Sequence, residues 1–263
     1  MPDGVAPLRS GCGAEAADTE KDGSGMITAL FWDIDGTILD FLAAEKAAIR
    51  SLFAELGLGE CTDEMIARYS AINKKYWRLL EDGVMTKPEI LVGRFSEFFA
   101  GEGIVTDADL FNETYQVRLG DTVVFIDRAD ELLRRLKAAG IRQYAVTNGT
   151  RIAQRKKLTN AHLWEVFDGV FISDEIGAEK PSKAFFDHVF ATVKDLDRDE
   201  VMIVGDSLSS DMRGGLAAGI RTCWYNPAGA SCPVDLPLDE EIHDLWQVQE
   251  LLARGKKEES IWI

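Results

Sequence analysis

The sequence predicts an α/β fold: a doubly wound, mostly parallel sheet core interrupted by an inserted all-α segment. Three observations predict it. Short apolar runs rich in β-formers recur at residues 28–32, 143–147, 169–173, 201–204 and 221–225. From residue 129 onward these runs alternate with helical patterns, and such alternation implies a parallel sheet with helices on both faces. Between the first run and the second, residues 43–119 show one helical pattern after another without a strand pattern.

Taken in order, the first strand is Thr28-Ala29-Leu30-Phe31-Trp32, an apolar run read as buried on both faces. It is broken by two carboxylates, Asp33 and Asp35, with Gly36 and Thr37 following. A helical pattern from Ala43 to Leu56 closes at Gly57, and a second runs from Met65 to Leu80. Thr86-Lys87-Pro88-Glu89 reads as a capping box with proline in the first turn, opening a helix to Phe99. Thr106 or Asp107 caps one more, ending near Gly120. The core then resumes with helix 129–139, strand 143–147, helix 152–158, strand 169–173, helix 185–192 and strand 201–204. A helix carrying Asp211 and Gly214-Gly215 leads to strand 221–225, and a last helix covers about 245–253. The expected organisation is a Rossmann-like core at 26–42 and 120–254 and a helical cap at 43–119. Residues 1–25, rich in Gly, Ala and acidic residues, form a disordered extension, so that Met26 is a candidate start; 255–263 form a solvated tail.

The composition is that of a globular chain without an apolar run long enough to span a bilayer. With 29 basic against 45 acidic residues the net charge is −16, which excludes nucleic-acid polymers and anionic membranes as expected partners, since both reward basic patches. The four cysteines, Cys12, Cys61, Cys223 and Cys232, form no Cys-x-x-Cys pair, and a chain of this size needs no disulfide framework; reduced thiols in a cytoplasm follow. A monomer or small homo-oligomer is expected.

In an open α/β sheet, ligands bind beyond the carboxyl ends of the strands, and four such ends or the loops after them carry polar residues here. The first offers Asp33 as a nucleophile toward phosphorus and Asp35 to handle the proton of the leaving oxygen. The second offers Thr147 and Asn148 for phosphate oxygens, with Gly149 and Thr150 leading into a helix whose N-terminal amides favour an anion. Lys180 precedes another helix, placed to hold the nucleophile and the transferring group together. The last offers Asp206, with Asp211 five residues on. Asp33, Asp206 and the carbonyl of Asp35 make an all-oxygen set suited to Mg²⁺, with Mn²⁺ a substitute. Each piece alone also reads as a turn, a helix cap or a solvated dipeptide; their joint order is what points to one site. His162, His188 and His243 stand apart from it.

This ordered set resembles the haloacid dehalogenase-like superfamily of phosphohydrolases over about residues 26–252. Asp33-x-Asp35-Gly36-Thr37 is similar to its first motif, Thr147 to its second, Lys180 to its third, and Gly205-Asp206-Ser207-x-x-x-Asp211 to its fourth. The resemblance implies Asp33 as phosphoryl acceptor, Asp35 as general acid and base, and Thr147 and Lys180 on phosphate. It also implies Mg²⁺ on Asp33, Asp206 and the Asp35 carbonyl, Asp211 positioning Lys180 or the metal shell, and a C1-type helical cap that selects the leaving group. Asp35 speaks against a true dehalogenase. Within the cap, Asn73-Lys74-Lys75-Tyr76-Trp77, Asp82-Gly83-Val84-Met85-Thr86 and Gly93-Arg94-Phe95 resemble bacterial pyrimidine 5′-nucleotidases that clear non-standard nucleotides, as does the stretch from Val170 to Pro181. That implies a nucleoside monophosphate substrate, with Trp77 stacking on the base and Asn73 bonding its edge, although Tyr76, Trp77 and Leu80 also fall at core spacing. A phosphatase of a small sugar phosphate or phosphoglycolate, a phosphosugar mutase and a receiver-like phosphoacceptor are the alternatives.

Overall fold

The computed structural model describes residues 26–233 and 236–258; the expectations for 1–25, with Cys12, and for the tail beyond 258 lie outside the described residues. Six strands form one parallel sheet: β1 (Ala29–Trp32), β2 (Arg142–Thr147), β3 (Gly169–Ile172), β4 (Val201–Gly205), β5 (Arg221–Tyr225) and β6 (Glu240–Ile242), in the order β3-β2-β1-β4-β5-β6. The chain winds outward from β1 to β3 and then returns to β4 on the other side. The switch point lies between β1 and β4, where a doubly wound sheet opens its crevice.

All four residues of β1 are buried, and the pleat explains why the run carries no polar alternation. Leu30 and Trp32 point into a core with Leu132, Leu133 and Leu136 of α5 (Ala129–Ala138) and Val248 of α10 (Gln247–Glu258). Ala29 and Phe31 point the other way, against Phe185, Phe186 and Val189 of α8 (Lys183–Thr192). The register pairs Trp32 with Ala145 on one side and Val204 on the other. Asp33, Thr147 and Asp206 therefore leave the sheet at nearly the same level.

Between β1 and β2 run α1 (Phe41–Leu56), α2 (Asp63–Glu81), α3 (Lys87–Glu102) and α4 (Ala108–Leu119). Each start is chemically marked: Asp40 accepts from Ala43 N, Thr62 from Met65 N, and Asp107 from Asp109 N and Leu110 N. The expected capping box forms, Glu89 accepting from Thr86 N and Thr86 Oγ1, both at 2.7 Å. The four helices share a third core in which Tyr69 stacks on Phe95 at 4.9 Å and Phe111 meets Phe95 and Phe99 at the same distance. Each such buried ring contributes about 1.5–3 kcal/mol by burial. The remaining helices are α6 (Arg151–Asn160), α7 (Ser173–Ile176) and α9 (Arg213–Ala218). Among the described residues no helix is long and apolar enough to cross a membrane.

Four expectations are corrected. Strand β6 has no apolar run to announce it, because only Ile242 of Glu240–Ile242 faces a core. Ser173, read as the end of a strand, opens α7 instead, and Asp211 sits on a π-helical turn, Leu208–Met212, ahead of α9. The last helix starts at Gln247 and continues to Glu258, past the expected end at Ala253.

Candidate active site

The strand tips converge on Lys180. Its ammonium, 1% exposed, donates to Asp33 Oδ1 at 2.7 Å, to Asp211 Oδ1 at 2.6 Å and to the Val146 carbonyl at 2.6 Å. Burial alone would pull Lys180 down, but Asp211 and then Asp33 outweigh it and raise it above the ordinary lysine range. Burial pushes Asp33 well up from the usual carboxylate range, and Lys180 is the main group working against that shift. The lysine reaches this place because the side-chain amide of Asn148 pairs with its backbone, donating to the Lys180 carbonyl and accepting from Lys180 N, each at 2.8 Å. Both ends of that amide thus hold the loop, and Asn148 also lines the cavity. Thr147, 1% exposed, accepts from Gly149 N at 3.2 Å and lines the cavity.

The metal question turns on oxygens. Asp33, Asp206 and Asp211 each bring a carboxylate oxygen within 4.8 Å of the others. Thr37, named in the sequence only as part of a motif, links two of them: its hydroxyl lies 3.4 Å from Asp33 Oδ2 and 3.3 Å from Asp206 Oδ1, and it accepts from Asp206 N at 3.1 Å. Gly36, with φ of +92°, passes so close to Asp206 that a Cβ there would lie 2.8 Å from Oδ2, which brings the Asp35–Gly36 backbone beside the same carboxylate. Asp206 is the most exposed of the three, yet thin hydration at the pocket floor and then Asp211 lift it to about 7. An all-oxygen cluster of this kind fits a hard divalent cation. Asp211 is the member least free for it, since Lys180 holds one oxygen and Ser207 N donates to the other at 3.2 Å.

Asp35 is held by two residues the sequence did not single out. Gln154 Nε2 donates to its Oδ2 at 2.6 Å and Lys157 Nζ to its Oδ1 at 2.5 Å. A signal was there to find. Gln154 and Lys157 share the inward face of α6 with Ala153 and Leu158, and a polar pair among the apolar positions of an amphipathic helix needs a buried partner.

Opposite these carboxylates, a cavity of about 800 Å³ is bounded by α1 and α2, with Phe41, Leu42, Glu45, Asn73, Trp77 and Glu81 among its walls. Trp77 is half-buried and faces this space. Asn73 is 3% exposed and engaged at both ends of its amide: the nitrogen donates to Glu45 Oε2 at 2.8 Å and the oxygen accepts from Arg94 at 2.7 Å. These two bonds build Asn73 into the cavity wall. Glu45 also accepts from Ser70; burial pushes its carboxyl up, with the bonds from Ser70 and Asn73 pulling the other way. Arg94 continues the array to Asn112, Gln116 donates to Asn112, and Thr150 donates to Gln116 at 2.8 Å. Further polar contacts tie the helical insertion to the core, among them Lys87 to Ser173 at 2.7 Å, Lys156 to the Val117 carbonyl at 3.0 Å and Ser209 to Glu81 at 2.5 Å. None of the three histidines lines the cavity.

A doubly wound sheet with paired aspartates, a lysine and an acidic cluster at its switch point defines a hydrolase of the phosphoryl-transfer kind. The family model of haloacid dehalogenase-like hydrolases matches residues 30–225, and the chain belongs to that family, as an enzyme of the phosphatase type. It is 38% identical to the HAD-hydrolase YfnB of Bacillus subtilis over 198 residues, 75% of this chain and 83% of the relative. The crystal structure of YfnB bound to magnesium superposes with a TM-score of 0.82 at 35% identity, covering 86% of this chain and 98% of that one. The pyrimidine 5′-nucleotidase PynA of Streptococcus pneumoniae is 33% identical over 75% of this chain and 83% of its own length. The pyrimidine 5′-nucleotidase YjjG of Escherichia coli is 27% identical over 86% of this chain and 97% of its own.

Proposed function

We propose that the protein is a Mg²⁺-dependent 5′-nucleotidase that hydrolyses pyrimidine nucleoside monophosphates through an aspartyl phosphate on Asp33. The observation that carries the reading is that a single cavity is lined both by the phosphoryl-transfer groups and by Trp77. The names of PynA and YjjG support it.

In the first half, an Asp33 oxygen bonds to phosphorus as the bond to the ester oxygen breaks, and that oxygen takes its proton from Asp35. In the second, water attacks the aspartyl phosphate and gives a proton to Asp35, releasing inorganic phosphate and restoring Asp33. Thr147 and the backbone near Gly149 bind the phosphoryl oxygens, while Lys180, whose three N–H groups are held by Asp33, Asp211 and the Val146 carbonyl, offers them its positive charge. Asp33, Asp206 and the Asp35 carbonyl would hold Mg²⁺ or Mn²⁺, which supplies compensation of the negative charge on the transferring group. Helices α1–α4 act as a cap over this chemistry, and Trp77 stacks on the base, which tolerates altered bases because every base offers a flat face. We place the enzyme in a cytoplasm, in keeping with the unbridged Cys61, Cys223 and Cys232, acting on small phosphomonoesters alone.

The test is a phosphate-release screen across nucleoside monophosphates and sugar phosphates, repeated with Trp77→Ala. The variant should lose about tenfold or more in kcat/KM for a pyrimidine nucleotide, the stacking being worth about 1–3 kcal/mol, with a far smaller loss on a small generic phosphomonoester. A hexose or two-carbon phosphate as the best substrate, or equal losses on both substrates, would refute the nucleotidase reading.

A further inference from the structure

We propose that Gln154 and Lys157 form a clamp that positions Asp35 for proton transfer, and that Gly149 is the residue that makes room for it. The inference rests on the reading of Asp35 as acid and base.

Lys157 is 1% exposed, and its ammonium finds its ion-pair partner in Asp35 at 2.5 Å, with the Phe41 ring 5.2 Å away. A buried cation is costly unless paired, so this position is built around one carboxylate. Gln154 is fully buried, and it donates to the other oxygen of Asp35 at 2.6 Å while its own Oε1 finds no hydrogen-bond partner among the described residues. An amide that leaves its acceptor unsatisfied in order to donate is placed for that donation. The approach requires the absence of a side chain at residue 149: a Cβ on Gly149 would lie 2.1 Å from Gln154 Nε2. This gives Gly149 a reason to be glycine beyond access to phosphate.

With one donor on each oxygen, the carboxylate of Asp35 cannot turn about its Cβ–Cγ bond. Each oxygen keeps a second lone pair, so the outward one remains able to carry the proton that the leaving oxygen takes and that water later returns. The side chain of Asp35 is 22% exposed, open on the cavity side. The clamp is itself anchored, because α6 is capped by Thr150, whose hydroxyl accepts from Ala153 N and donates to Gln116 of α4. Gln154 and Lys157 touch the acid rather than the substrate and are positioning residues.

The test compares kcat/KM for a pyrimidine nucleoside monophosphate and for 4-nitrophenyl phosphate in Lys157→Met, Lys157→Arg, Gly149→Ala and Asp35→Asn. This parameter reports only the steps through departure of the leaving group, and nitrophenolate departs with little need of a proton whereas a ribose alkoxide needs one. Lys157→Met and Gly149→Ala should lose about 10- to 100-fold on the nucleotide, the range expected for a misplaced catalytic group, and at least tenfold less on the nitrophenyl ester. Lys157→Arg should recover part of the nucleotide loss. Asp35→Asn should show the same skew with a larger loss, about 10²- to 10⁴-fold. Equal losses on both esters in Lys157→Met and Gly149→Ala, with Asp35→Asn skewed, would overturn the clamp and leave the acid assignment standing. An unskewed Asp35→Asn would overturn both. Gly149→Ala carries the test alone if Lys157→Met does not fold, since it displaces the amide without burying or exposing a charge.

Discussion

Replacing Lys180 by methionine should unfold the protein more readily as well as silence it. The ammonium is buried between Asp33 and Asp211, at 2.7 and 2.6 Å, and the substitution removes the shared cation while leaving two buried carboxylates facing each other. Breaking a buried pair by deleting one partner costs about 3–5 kcal/mol. In a domain of this size each kcal/mol moves the melting temperature by about 2–4 °C, so Lys180→Met should melt about 6–20 °C below wild type in excess chelator. The deficit should shrink when Mg²⁺ is added, because a cation on Asp33 and Asp206 replaces part of the missing positive charge. Thermal denaturation followed by circular dichroism, with chelator and with saturating Mg²⁺, measures both quantities. A variant that melts within about 2 °C of wild type in chelator would show that Lys180 does not carry the charge that compensates Asp33 and Asp211.

Exhaustive chelation should abolish phosphate release and Mg²⁺ or Mn²⁺ should restore it, with Asp206→Ala requiring far more metal than Asp211→Ala; full turnover in chelator is the contrary result. Gly36→Ala should disable the metal site while leaving the fold, since the added methyl would lie 2.8 Å from Asp206 Oδ2 at a backbone φ of +92°; calorimetric titration with Mg²⁺ should show binding weakened about tenfold or more, as when a ligand's support is lost. Glu45→Gln should flatten the pH dependence of stability. Burial raises Glu45 above its ordinary 4.5, so the folded protein holds this proton more tightly than the unfolded chain. The wild type therefore loses that part of its stability as pH climbs from 4.5 through the raised value, and melts across this window should fall for wild type and fall less for the variant.

The core strands were legible because burial on both faces leaves an unbroken apolar run, as in Leu30, Phe31 and Trp32. The helix starts were legible because Asp107, Thr86 and Glu89 carry side chains whose only local use is capping. Asp33, Thr147, Lys180 and Asp206 could be placed together because a doubly wound sheet fixes where strand tips meet. Hydrogen-bond partners across the fold were not legible. Nothing local says that the Asn148 amide pairs with the Lys180 backbone, that Asn73 bonds to Glu45 and Arg94, or that Asp35 is the partner that Gln154 and Lys157 need. Those pairings depend on tertiary approach between segments far apart in sequence. Strand β6 escaped notice for the opposite reason: a three-residue edge strand needs one buried side chain, Ile242, and one such residue makes no pattern.

That same short strand has a bearing on how the protein behaves at high concentration. An open sheet ends in a row of unpaired backbone amides and carbonyls that invites a strand from another molecule. Here the β6 border is only Glu240–Ile242 long and two of its three residues are glutamates, in a chain that already carries a net charge of −16. A second copy approaching this border would bring its own carboxylates against them and could gain few ladder bonds in return. The border is thus a weak template for strand addition and fibril growth, a safeguard that lies in the residues contributing least to the core.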